Sequence, residues 1–281
     1  MLACSSRAPS PAAEALPATE PASPLASSRP AEAPPPASLR TEAPPAPAPR
    51  WPPPPAGARS DFCIESVTAL DENSCYVLPD APTDELLLYL HGIVPPAKTS
   101  RQKTNFETVV GTAARRAGVA ALMPRGRQGL APKGHDGWWG WPTSAGGYAR
   151  WSDELIAEFA EKRGKLEALS GRRFRRVYLA GSSSGAYFVV ALALRGAIAA
   201  DGFAAISGGA LGPGADFQGR VPRPFYIGYG TADTVGPGAN ALAVRLRAAG
   251  FPVRVAAHPL PHGAAEVYLD EAFAHFRAHQ P

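Results

Sequence analysis

The chain has 281 residues, a formal net charge of +4 and 45% apolar residues, material for one domain of moderate size with a tail. The charge is mild and gathers in one dense cluster, Arg172-Arg173-Phe174-Arg175-Arg176; no basic face interleaved with stacking aromatics accompanies it, so no nucleic-acid partner is expected. No apolar run is long enough to span a bilayer, no Cys/His spacing suits a metal, and no internal repeat is visible.

Residues 1–60 are built almost wholly from Ala, Pro, Ser, Glu and Arg and hold more than half of the chain's 32 prolines. Such a stretch has too few large apolar side chains to offset the entropy of ordering itself, so it reads as a disordered, semi-stiff tether. Residues 61–281 are the expected folded domain. Its first segment carries Cys63 and Cys75 around a strand, a turn at Asp71-Glu72-Asn73 and a returning strand. Hairpin geometry brings the two sulfurs within reach of one another, and closing so short a loop adds about 2–3 kcal/mol. A bond there implies an oxidising compartment; the alternative is two separate buried thiols in a cytosolic protein.

From residue 85 onward, apolar strands alternate with helical stretches. Strands are expected at 85–90, 118–123, 176–180, 202–206, 224–229 and 252–257. Helices are expected at 106–117, 152–169 with Ser152 as N-cap, 185–195, 240–249 and 264–278. Continuously apolar strands alternating with helices predict an α/β fold: a mostly parallel, doubly wound sheet covered on both faces.

Where the strand at 176–180 meets the next helix stands Gly181-Ser182-Ser183-Ser184-Gly185. A nucleophile at the carboxyl end of a buried strand needs a sharp, strained turn, and glycines two residues to either side let strand and helix pack closely. Only Ser183, not Ser182 or Ser184, has glycines at that spacing. A serine hydroxyl needs a histidine base and a group to orient that base. His262, in Pro259-Leu-Pro-His-Gly263 after the last strand, is favoured over His258; His275 and His279 fall within the terminal helix. Asp233, off the end of the penultimate strand, is favoured over Asp216 as the orienting acid. His91-Gly92-Ile93 ends the first central strand, so the backbone N–H groups of Ile93 and Ser184 are the expected oxyanion donors, with His91 a structural loop residue.

These motifs, in the order His91-Gly92, Gly181–Gly185, Gly230-Thr231-Ala232-Asp233 and His262-Gly263, resemble the α/β-hydrolase superfamily over residues 85–281. The nearest branches are the esterase, depolymerase and dienelactone-hydrolase-like ones. The resemblance implies a Ser-Asp-His triad acting through an acyl-enzyme, without cofactor or metal. A carboxylic ester is the first substrate class; a peptidase or amidase of the same fold and a catalytically silent surface binding protein are the alternatives. The connection 207–222 is too short and Gly-rich for a helical cap, so an open site admitting bulky or polymeric esters is expected. Trp138, Trp139 and Trp141 are candidates for binding substrate, or else a hydrophobic plug.

Met1-Leu2-Ala3-Cys4 is similar to the end of a bacterial lipoprotein signal, in which a small residue precedes the lipidated Cys. The charged and apolar segments of such a signal are not in this sequence, and a translation start placed too late is the reading adopted. The expectation is a periplasmic or outer-membrane lipoprotein that meets the membrane only through a lipid anchor at Cys4; the alternative is a cytoplasmic protein.

Overall fold

A computed structural model describes residues 51–52, 60–97, 100–210 and 220–280. Cys4, Asp216 and most of the segment read as a tether lie outside the described residues. Ordered contact begins before residue 61, because the Trp51 indole N–H donates to the Pro79 carbonyl at 2.6 Å.

The elements in chain order are β1 (Thr68–Asp71), β2 (Ser74–Val77), β3 (Glu85–Leu90), α1 (Arg101–Ala117), β4 (Ala120–Pro124), β5 (Arg127–Gln128), β6 (Trp139–Gly140), α2 (Ala145–Ser170), β7 (Arg176–Ser182), α3 (Ser184–Arg195), β8 (Gly202–Ile206), β9 (Phe225–Gly230), α4 (Gly236–Ala248), β10 (Val253–His258) and α5 (Glu266–Ala278). Eight strands form one sheet in the order β1-β2-β4-β3-β7-β8-β9-β10, in which β2 runs antiparallel to both β1 and β4 and the other pairs are parallel. This is the mostly parallel, doubly wound sheet that the strand–helix alternation predicts, and the fold that the resemblance to α/β-hydrolases implies. The strands β2, β3, β4 and β8 are buried along their whole length, as a sheet covered on both faces requires. Residues of α2, α3 and α4 pack on one face with Leu86, Leu88 and Leu179; those of α1 and α5 pack on the other with Leu87, Tyr89 and Tyr178.

Two helices start earlier than expected. Helix α1 begins at Arg101, capped by the Ser100 hydroxyl accepting from the Lys103 N–H at 3.1 Å; its first turn is polar and carries no apolar period to read. Helix α2 begins at Ala145, with Ser144 accepting from Gly147 N–H. Ser152 is therefore not the cap. It lies in the second turn and its hydroxyl donates to the Tyr148 carbonyl at 2.7 Å. The glycine pair Gly146-Gly147 disfavours a helix locally, and tertiary packing overrides it: the Tyr148 ring lies 5.4 Å from Phe188, and Arg195 lies 4.2 Å above it.

The hairpin of β1 and β2 is fastened to the segment before it, with Cys63 and Cys75 joined at 2.14 Å between sulfurs. Beneath it, fully buried Glu107 accepts from the Ile64 N–H at 3.1 Å, and burial raises the pKa of its carboxyl. Phe62, next to Cys63, packs 5.8 Å from the His91 ring.

Candidate active site

The strands β3 and β7 are neighbours, paired from Glu85–Arg176 to Leu90–Gly181. The helix that follows β3 covers one face of the sheet and the helix that follows β7 covers the other. In open sheets of this kind ligands bind outside the carboxyl ends of the strands at such a switch point, and Ser183 is the first residue past the carboxyl end of β7.

Ser183 has φ 51° and ψ −119°, a combination that L-residues avoid because of their Cβ. Its own N–H is used, donating to the Ile206 carbonyl at 2.9 Å. Helix α3 starts at the next residue and its first turn closes with Tyr187 N–H to the Ser183 carbonyl at 3.2 Å, so the Ser184 N–H has no intrahelical acceptor. The glycine at 185 is required by space rather than by conformation. A Cβ there would lie 2.1 Å from the Leu90 carbonyl oxygen and 2.7 Å from that of His91. Of the three serines, Ser182 and Ser184 are buried and Ser183 alone is partly exposed.

The turn expected to supply an oxyanion donor follows β3. Gly92 approaches so closely that its Cβ would stand 3.2 Å from the Ser183 Cβ, which places the next residue, Ile93, beside the elbow. His91 is fully buried, and burial lowers its imidazole to about pKa 4, so it is neutral at working pH. Its Nδ1–H donates to the Gly92 carbonyl, and its Nε2 accepts from the Gly126 N–H at 3.0 Å. His91 thus ties the turn after β3 to the loop after β4. Gly126 carries little signal in the sequence beyond being a glycine two residues past the end of β4 at Pro124.

His262 and Asp233 meet, with Nδ1 2.7 Å from Oδ2. The carboxylate side chain is 4% exposed and the imidazole 50%. A buried acceptor on Nδ1–H fixes the tautomer and leaves Nε2 as the ring nitrogen for a reacting proton. The Asp233 loop is shaped for this: Oδ1 accepts from the Val235 N–H at 3.3 Å. His258 goes elsewhere, its Nε2 3.4 Å from Glu271 Oε2, which also accepts from the Tyr226 hydroxyl. His275 is buried with Nε2 3.1 Å from the Pro252 carbonyl.

The tryptophans separate. Trp139 pairs its backbone with Val94, N–H to carbonyl at 2.9 and 3.0 Å in the two directions, and carries the Arg125 guanidinium 4.0 Å over its ring. Trp138 lies edge-on to His135 at 4.7 Å; both tryptophans are partly exposed. Trp141 corrects the expectation that it binds substrate. It is fully buried, 5.3 Å from His91 and stacked 5.9 Å from Phe188, and no face of it is left for a ligand. Among the described residues, no cluster of His, Cys, Asp and Glu is disposed to hold a metal ion.

No family model matches the chain, and no curated protein sequence does. Solved structures do resemble it. A carboxylesterase from Bacillus cereus is 15% identical, with 73% of this chain and 93% of that one covered and a TM-score of 0.54. A carboxylesterase from Mesorhizobium loti is 21% identical over 71% of this chain and 90% of that one, TM-score 0.52. Esterase PE8 is 18% identical over 73% and 97%, TM-score 0.52. At such identities the likeness is one of fold.

Proposed function

We propose that the protein is a serine hydrolase that cleaves carboxylic esters through an acyl-enzyme. The observation that carries this reading is the 2.7 Å pair of His262 Nδ1 and buried Asp233, in a fold whose strand β7 delivers Ser183 on a strained turn. In the reaction His262 Nε2 takes the hydroxyl proton as Ser183 Oγ attacks the ester carbonyl. The N–H groups of Ile93 and Ser184 hold the oxyanion, each worth about 3–4 kcal/mol of transition-state stabilisation. The imidazolium then returns its proton to the departing alkoxide, and a water molecule, activated by the same nitrogen, releases the acid from Ser183. Asp233 keeps the tautomer and stabilises the imidazolium. Solved structures of this fold that are described as esterases favour an ester over an amide.

The half-exposed imidazole and the partly exposed Trp138 and Trp139 support a site open to bulky acyl or alcohol groups. The Cys63–Cys75 bond supports residence in an oxidising compartment, and lipid attachment at Cys4 belongs to the same proposal. The test is labelling by a fluorophosphonate together with hydrolysis of short p-nitrophenyl esters. Labelling and turnover that vanish together in Ser183→Ala are expected; a Ser183→Ala variant that still labels or turns over sinks the assignment.

A further inference from the structure

Ser207 is the first residue past β8 and belongs to none of the triad or oxyanion positions. It is fully buried and holds φ 48°, a backbone state that costs a non-glycine residue about 1 kcal/mol or more. Its hydroxyl makes two bonds to one residue, donating to the Gly263 carbonyl at 3.2 Å and accepting from the Gly263 N–H at 3.1 Å. Gly263 immediately follows His262 in the chain. The Ser207 N–H is itself anchored, donating to the Gly228 carbonyl of β9 at 2.7 Å.

The same short segment touches the nucleophile. Ile206 accepts the Ser183 N–H at 2.9 Å, and a Cβ on Gly208 would stand 2.7 Å from the Ser183 carbonyl oxygen. Residues 206–208 therefore contact the Ser183 elbow on one side and the residue after His262 on the other. A glycine at 207 would adopt φ 48° with no Cβ penalty, but it would have no hydroxyl. What the strained serine supplies, and glycine and alanine do not, is a donor and an acceptor on one atom, at the reach of a backbone N–H and C=O together.

We propose that Ser207 is a positioning residue that sets the backbone of the His262 loop against the Ser183 elbow, fixing the base in line with the nucleophile. The inference rests on the hydrolase reading. It predicts a loss in turnover rather than in substrate binding, because what is disturbed is the alignment of the base; misplacement by 1 Å is enough for about a hundredfold.

The experiment compares wild type, Ser207→Gly, Ser207→Ala and Ser183→Ala on a p-nitrophenyl ester, with thermal unfolding as the folding control. Ser207→Gly is expected to lower kcat about 10–100-fold with KM changed less than about threefold. It is also expected to weaken or broaden the low-field proton resonance of the His262 Nδ1–H. Should the glycine variant not fold, the alanine variant carries the same two readings. A folded variant with wild-type kcat and an unchanged low-field resonance overturns the positioning role, provided that Ser183→Ala is inactive. An active Ser183→Ala overturns the hydrolase reading instead.

Discussion

Replacing Ser183 by alanine or by glycine removes the hydroxyl in either case, so both variants should be inactive, and their stabilities isolate the backbone. Alanine keeps the Cβ at φ 51° and ψ −119°. That ψ lies far from the left-handed helical well near +45°, in territory where a Cβ costs on the order of 1–3 kcal/mol. Glycine removes the cost in the folded state but loosens the unfolded chain, which takes back about 0.4–1 kcal/mol. The glycine variant should therefore be the more stable of the two by about 0.5–2 kcal/mol. For a domain of this size that raises the unfolding midpoint by about 1–8 °C. Urea titration and thermal unfolding of the two proteins side by side measure it. A glycine variant no more stable than the alanine variant would refute the claim that the elbow stores strain.

Asp233→Asn should leave the fold intact and lower kcat about 10⁴-fold by stabilising the wrong imidazole tautomer; steady-state kinetics on the folded variant reads this. Cys63→Ala/Cys75→Ala should lose about 2–3 kcal/mol of stability in denaturant titration, the loop closed by the bond spanning 12 positions. Acid should weaken the fold through His91. An unfolded chain protonates this imidazole near pH 6.5, whereas burial keeps the folded one neutral to about 4. Between those values the unfolded state binds more protons, so stability falls as pH falls, by about 3 kcal/mol at the lower limit. His91→Gln, which does not titrate, should show a shallower decline over that window in urea titrations at stepped pH.

The parallel sheet was legible because its strands are short, uniformly apolar and punctuated by helices, and 85–90 and 202–206 match β3 and β8 to the residue. The chemistry-bearing positions could be named because G-x-S-x-G and the residues after strands occupy fixed places in the chain order of such a fold. What escaped has physical reasons. Ser152 has the chemistry of an N-cap, yet it bonds back to Tyr148 inside a helix, a choice that a hydroxyl can make either way. Trp141 sits in a Gly- and Trp-rich loop that reads as surface, and only the packing of His91 and Phe188 around it reveals a core residue. Ser207 bonds a residue 56 positions away, and no local period announces a contact of that range.

The loop between β4 and α2 is clamped at two points to the turn after β3, once through Gly126 and His91 and once through Trp139 and Val94. Between the clamps, β5 and β6 pair as a two-stranded ribbon whose tip, residues 129–137, carries exposed Pro132, Lys133, Gly134 and Asp136. Loop tips of this kind accept changes of length and sequence. Changes of sequence in the tip should therefore leave the turn after β3 in place. Changes at residues 126 or 139 would release one of the two clamps that hold it.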